Sequence, residues 1–312
     1  MDKRESRIIF MGTPEISAKV LEGIVSDGFN VVALIAQPDR PVGRKQILEP
    51  VPTKVVAEKY NIPVYQPVKI RKEYEFIKDL KPDVIVTLAY GQIVPQGLLD
   101  IPTYGAINLH GSLLPKYRGA APIQYALING DKVTGMTLMK MVKEMDAGEM
   151  YDKEEVVIEE SDNMTSLFDK MGDAALRLIL RALPKYLNHE YVGIPQDENL
   201  VSYCPTIKPE EEKLDLSQNK EKIIGYIRAL SEVPGAYLYL DQQKVKIYKA
   251  QIVSDEVSGK IGEIIKADKN GFHLQLSNGV ISLLEVQKEG KKKMDYKSFI
   301  NGNQNLLGKI FE

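Results

Sequence analysis

Cysteine is almost missing from this chain: Cys204 is the only one in 312 residues. No intramolecular disulfide can form, and such usage fits a reducing compartment. Histidine is nearly as scarce. His110, His189 and His273 lie far apart, none at ligand spacing from another His or from Cys204, so neither a structural zinc nor a catalytic metal is expected. Tryptophan is absent altogether. No apolar run approaches the ~18 residues that cross a bilayer. The opening residues run into a buried-looking strand, with no apolar signal core and no Arg/Ser-rich transit pattern. A cytoplasmic protein without a membrane partner is therefore expected. The net charge of −2 favours no class of partner. Split near residue 206, however, the C-terminal part holds 17 basic and 15 acidic residues against 24 and 28 before it, a hint toward a polyanion.

What remains is ordinary for a globular protein. Hydrophobic residues make up 44% and charged residues 27%, enough to bury full cores, and the length suits two domains. Residues 7–11 read as a buried strand, followed by a Gly-Thr-Pro-Glu turn and a helix to about 26. Buried strands recur at 30–36, 83–88 and 105–110, with a short one at 63–65. Helices fit 53–60, 72–80 and 122–128. Two further strands, 134–141 and 150–158, precede a long amphipathic helix over 164–187. This alternation predicts an α/β fold: an open, mainly parallel Rossmann-like sheet with helices on both faces. Residues 37–52 read as an irregular, Pro-rich basic loop, and loops of that length are more often functional than idle.

After Pro205 the pattern changes. A short helix near 220–230 leads to five short alternating strands at 237–240, 245–252, 259–267, 272–276 and 280–287, punctuated by tight-turn residues. They suggest a small C-terminal OB-like β-barrel. The expected domains are 1–187, a linker over 188–209 with Pro195, Pro205 and Pro209, and 210–312.

The chemistry concentrates in Asn108-Leu109-His110-Gly111-Ser112-Leu113-Leu114-Pro115 and in Met145-Asp146-Ala147-Gly148. An Asn and a His two apart on a strand share a face. One can donate to a developing oxyanion while the other moves a proton near neutrality. A carboxylate from a later loop, Asp146, can orient the imidazole. Acyl-type transfer to an amine needs that trio. Ser112, Leu113, Leu114 and Pro115 read as a rigid apolar loop with free backbone polar groups, suited to a flat heterocycle. The strand order places the trio at the carboxyl edge of the sheet, where open α/β folds put their ligands. Taken singly, each piece also has an ordinary structural reading: a polar strand end, a capping Asp, an anchored loop.

The run 108–124, with Thr134-Gly135-Met136-Thr137 and its continuation to Gly148, resembles the core of the folate-dependent formyltransferases. Met11-Gly12-Thr13-Pro14-Glu15, the loop Gln37-Pro38-Asp39-Arg40-Pro41-Val42-Gly43-Arg44 and Glu289-Gly290-Lys291-Lys292-Lys293-Met294 resemble the branch that acts on methionyl-tRNA. Two departures stand out: Ile16-Ser17 where that branch often has Phe-Ala, and Val233-Pro234-Gly235 for a common Trp-Pro-Gly. The resemblance implies a one-carbon transferase of translation initiation. It would take 10-formyltetrahydrofolate as formyl donor and methionyl-initiator tRNA as acceptor, act as a monomer, and need no metal. It makes Asn108, His110 and Asp146 catalytic. Ser112–Pro115 would line the folate site, with Tyr90, Gln92 and Ile93 as a further wall. Arg40, Arg44 and Lys45 would meet the acceptor end of the tRNA, and Lys291, Lys292 and Lys293 its phosphates.

Three other readings stay open at this point. A transformylase for a small amine, such as glycinamide ribonucleotide or an amino sugar nucleotide, would share the trio without needing the basic loop or barrel. A nicotinamide enzyme would want a G-x-G-x-x-G turn, which Gly12-Thr13-Pro14-Glu15 is not. A tRNA-binding protein without chemistry would leave the trio unexplained.

Overall fold

A computed structural model describes residues 3–42 and 47–312. Along the chain run β1 (Ile8–Gly12), α1 (Glu15–Ser26), β2 (Val31–Ile35), β3 (Arg40–Val42), β4 (Ile47–Glu49), α2 (Pro52–Lys59), β5 (Val64–Tyr65), α3 (Ile77–Leu80), β6 (Val84–Leu88), α4 (Gln96–Leu99) and β7 (Ala106–His110). Next come β8 (Arg118–Gly119), α5 (Pro122–Ile128), β9 (Val133–Lys140), β10 (Met150–Val157), α6 (Met164–Leu187) and β11 (Tyr203–Cys204). The remainder is α7 (Lys220–Leu230), β12 (Ala236–Leu240), β13 (Gln243–Ser254), β14 (Ile264–Asp268), β15 (Gly271–Leu276), β16 (Gly279–Lys288), β17 (Met294–Asp295) and α8 (Tyr296–Asn301).

The chain divides into two compact units. The first comprises residues 1–119, 134–157 and 168–204; the second comprises 120–133, 158–167 and 205–312. These lines differ from the sequence expectation of a break near 187. Helix α5 and residues 158–167 fall in the second unit. The stretch expected as linker carries β11, which pairs with β8 inside the first.

The first unit is built on a seven-stranded sheet ordered β10-β9-β7-β6-β1-β2-β5. Strands β5, β2, β1, β6 and β7 pair in parallel, and β7 pairs antiparallel with β9. β1 and β6 are buried along their whole length, as strands covered on both faces must be. The order reverses about β1, so the carboxyl ends of β1, β6 and β7 open onto one edge, the usual ligand side of such sheets. Beneath it, Ile9, Met11, Ile35, Ile85 and Ala106 share a core with Ile70, Leu98 and Leu99.

Two expectations shrink or change here. The helix foreseen over 72–80 is only α3, because residues 69–76 close three-residue turns such as Lys72 N–H to Lys69 C=O instead of a helical ladder. The Pro-rich loop is partly regular: β3 and β4 pair antiparallel, Arg40 opposite Glu49.

The second unit carries an antiparallel sheet, β12-β13-β16-β15-β14, with β17 added on β16. Its core gathers Leu238, Ile247, Phe272, Leu274, Leu283 and Phe299. The edge strands β12 and β14 do not pair directly. Residues 308–312 bridge them, with Phe311 opposite Leu240 and Ile310 opposite Glu263. Helix α7, capped by the Asn219 side chain on the Lys222 N–H, packs against α5 and β13. At the α5 crossing a side chain on Gly225 would meet the Leu127 and Ile128 carbonyls. No described helix is long and apolar enough to cross a membrane.

Candidate active site

Asn108 and His110 close β7. Asn108 stands opposite Thr87 on β6 and Met139 on β9, and the pleat puts Asn108 and His110 on one face. Among the described residues the Asn108 amide has no hydrogen-bond partner. Thr87 is buried opposite it, with a hydroxyl that likewise has none. Unpaired polar atoms at the mouth of a buried edge are costly unless something else meets them. That fits a polar ligand entering here.

His110 is 5% exposed. Its Nε2 lies 2.8 Å from the Tyr117 carbonyl. A carbonyl only accepts, so Nε2 carries the proton and the neutral ring keeps its lone pair on Nδ1. Nδ1 lies 3.7 Å from Asp146 Oδ2, an ion-pair distance once the ring is charged. The same carboxylate oxygen accepts the Gly119 N–H at 2.9 Å. Asp146 sits at φ +52°, a left-handed conformation that Asp tolerates better than most residues. The structure thus brings His110 and Asp146 together and leaves Asn108 open two residues upstream.

The Ser112–Pro115 loop differs from expectation. Its backbone polar groups are largely engaged within the protein. Ser112 C=O accepts from Thr137 Oγ1 at 2.7 Å, Leu114 N–H donates to that hydroxyl at 3.1 Å, and Leu113 C=O accepts the Lys116 N–H at 3.3 Å. Leu114 C=O accepts from Lys153 Nζ at 2.6 Å. The Leu114 side chain is buried against Met139 and Met150, so it anchors the loop. Ser112 is buried too, donating to the Lys116 carbonyl at 2.5 Å. Leu113 and Pro115 keep partial exposure. Burial pushes the Lys153 ammonium below the usual lysine range, the mark of a cation held at a partly dry spot.

Tyr90 and Gln92 act as braces. The Tyr90 carbonyl accepts from Thr13 Oγ1 at 3.2 Å and Gln37 Nε2 at 3.1 Å. Gln92 accepts the Ile70 N–H and donates to Gln37 Oε1 and the Pro67 carbonyl. The Tyr90 hydroxyl is buried without a partner among the described residues, and burial pushes it well above the usual phenol range. Ile93 is 66% exposed, the one fully presented apolar surface of that group. A cavity of about 540 Å³ opens at this edge, lined by Thr13, Pro14, Gln37, Arg40, Glu49 and Tyr90 among others.

Of the basic candidates, Arg40 lines that cavity; Arg44 and Lys45 lie outside the described residues. In the second unit Lys291 and Lys292 are exposed. Lys293 is committed to Glu232, at 2.7 and 2.8 Å, and to Glu285 at 3.3 Å. That neutralises it as a phosphate contact, a partner that sequence spacing does not reveal. Sequence reasoning also missed Gln196, Arg118 and the Tyr117 carbonyl. Arg118 at least lies inside the 108–124 run; nothing around Gln196 sets it apart.

The family model described as "Formyl transferase" matches residues 6–183, and "Formyl transferase, C-terminal domain" matches 206–304. A protein of Lactobacillus acidophilus named methionyl-tRNA formyltransferase is 46% identical over 298 residues, covering 95% of each chain. One of the same name from Bacillus velezensis is 44% identical, covering 98% of this chain and 97% of its own. Among solved structures, an N-formyltransferase from Helicobacter canadensis in complex with folinic acid and dTDP-3-aminofucose has a TM-score of 0.66. It is 19% identical and covers 91% of this chain and 99% of its own. HypX from Aquifex aeolicus with tetrahydrofolic acid also scores 0.66, at 16% identity, covering 96% of this chain and 48% of that one. At such identities these two likenesses carry the fold alone.

Proposed function

The chain belongs to the methionyl-tRNA formyltransferase family, and from that premise we propose that it moves the formyl group of 10-formyltetrahydrofolate onto the α-amine of methionyl-initiator tRNA. The folate donor supplies an activated formyl carbon, whose oxygen gains negative charge as the amine attacks. The chain's own residues answer that charge and the protons around it.

Asn108 donates its open amide to the oxygen. One such donor is worth on the order of 3 kcal/mol of barrier. His110 takes the amine proton on Nδ1, the nitrogen left free by the Tyr117 carbonyl, and passes a proton toward the departing nitrogen. Asp146, anchored by the Gly119 N–H, stabilises the imidazolium and holds the ring's aim. Leu113, Pro115 and Ile93 supply apolar walls for the folate ring, while Tyr90 and Gln92 keep the facing loop rigid. Arg40, which lines the cavity at the β1 turn, serves the tRNA acceptor end, a role assigned also to Arg44 and Lys45. Lys291 and Lys292 serve phosphates farther along, adding affinity without sequence choice.

The observation that carries the reading is the His110 ring, fixed through Nε2 and facing Asp146 through Nδ1, two residues from Asn108, whose amide has no partner among the described residues. The test offers the purified protein the formyl donor with methionyl-initiator tRNA, and glycinamide ribonucleotide in parallel. Formyl-methionyl-tRNA as product supports the reading. Formylation of the small amine alone would keep the chemistry and overturn the acceptor.

A further inference from the structure

Residues 194–204, a connector by sequence, contact the stretches that carry the trio. Ile194 exchanges both backbone hydrogen bonds with Met150 at 2.9 Å. Ser202 Oγ accepts the Tyr117 N–H at 3.0 Å, and the Ser202 carbonyl accepts the Arg118 N–H at 2.8 Å. Cys204 Sγ donates at 3.2 Å to the Tyr117 carbonyl that also holds His110. Gln196 sits at the centre, 9% exposed. Its Nε2 donates to the carbonyls of Asp146 at 2.7 Å and Gly148 at 2.8 Å, and its Oε1 accepts from Arg118 Nε at 2.9 Å. Arg118 is 3% exposed and continues to Glu198 at 2.7 Å.

The chemistry of this brace admits one orientation. A guanidinium only donates and backbone carbonyls only accept, so the amide oxygen must face Arg118 and the amide nitrogen must face residues 146 and 148. A glutamate of the same size would keep the arginine but set an acceptor against two carbonyls. The brace ends on the backbone of Asp146, whose left-handed φ needs bonds to hold it. Its other arm starts at Arg118, between the carbonyl that fixes His110 and the N–H that fixes the Asp146 carboxylate.

We propose that Gln196 and Arg118 are positioning residues for formyl transfer: together they set the Asp146 carboxylate against His110 Nδ1, and residues 194–204 are part of the active site. This rests on the formyl-transfer reading above.

The test uses the full chain with Gln196→Glu and, without added charge, Gln196→Met. In both, kcat should fall about 100-fold, the scale of a one-ångström misplacement. KM for folate and for methionyl-tRNA should stay within about threefold, marking lost transition-state rather than ground-state interaction. The kcat–pH profile should move as well, since the imidazolium loses its aligned carboxylate. Unchanged kcat with a superimposable profile overturns the proposal. So does a parallel loss of rate, folate binding and cooperative melting, which would make the brace a stability element. A wild-type protein that formylates no methionyl-tRNA would instead remove the functional reading itself.

Discussion

His110 at the end of β7 and Asp146 on the loop before β10 are aimed mostly by backbone groups. His110 takes its tautomer from the Tyr117 carbonyl, and Asp146 takes its anchor from the Gly119 N–H. Backbone groups have no signature in sequence, which is why the side chains of Asn108, His110 and Asp146 could be singled out and the groups that hold them could not. The Ser112–Pro115 loop teaches the same point. Its apolar, rigid character could be read, whereas its carbonyls turned out to be spent on Thr137, Lys116 and Lys153. Lys153 gives a prediction at this scale. Lys153→Met removes the donor to the Leu114 carbonyl while keeping the stem, so the loop loosens. KM for the folate donor should rise about tenfold with kcat within about threefold, the pattern of lost uniform binding. Steady-state kinetics with varied donor check it; an unchanged KM would free the loop from Lys153.

Elements with a strong period were legible. α6 shows buried Leu167, Met171, Ala174, Leu178 and Ala182 at helical spacing, and the parallel strands announce themselves as apolar runs. Elements fixed by their partners were not. β17 pairs on β16 with two residues, and β3 exists only through β4, with Pro41 lacking a donor of its own. Charge ties elements too. Arg177 and Arg181 of α6 hold Glu154 of β10, at 2.8 and 2.7 Å, and their hydrogen bonds keep its carboxyl below the ordinary glutamate range. A depressed folded value means stability present above the unfolded pKa and lost as pH falls through it toward the folded one. Melting temperature should therefore fall with acid below about pH 4.5 in the wild type, and less steeply in Glu154→Gln. Parallel curves for the two proteins would remove this ion pair from the acid response.

Over the whole molecule, both fold types are legible in sequence, while the compact units divide along other lines than composition does. Composition changes at Pro205, yet α5 and residues 158–167 belong with the second unit, because packing between distant segments follows no local pattern. The charge reading needs a similar adjustment. Of the three consecutive lysines, Lys293 faces Glu232 and Glu285, so the proposed phosphate contacts reduce to Lys291 and Lys292. The double variant Lys291→Glu, Lys292→Glu should raise KM for methionyl-tRNA and lower the slope of log affinity against log salt by about one per lost contact. Folate KM should not move. Titration of tRNA binding across salt concentrations reads this out, and an unaltered slope would place the polyanion surface elsewhere.

Our proposal places formyl transfer itself on Asn108 and His110. Its most direct test is the single-turnover rate of formyl-methionyl-tRNA formation with enzyme in excess, for the wild type, Asn108→Ala and His110→Ala, beside equilibrium binding of the folate donor. Each variant should lose at least about 100-fold in rate, the usual loss for a transition-state donor or proton carrier, with donor affinity within about threefold. A near-normal rate in either variant would remove that residue from the chemistry, and so would a loss traced wholly to donor binding.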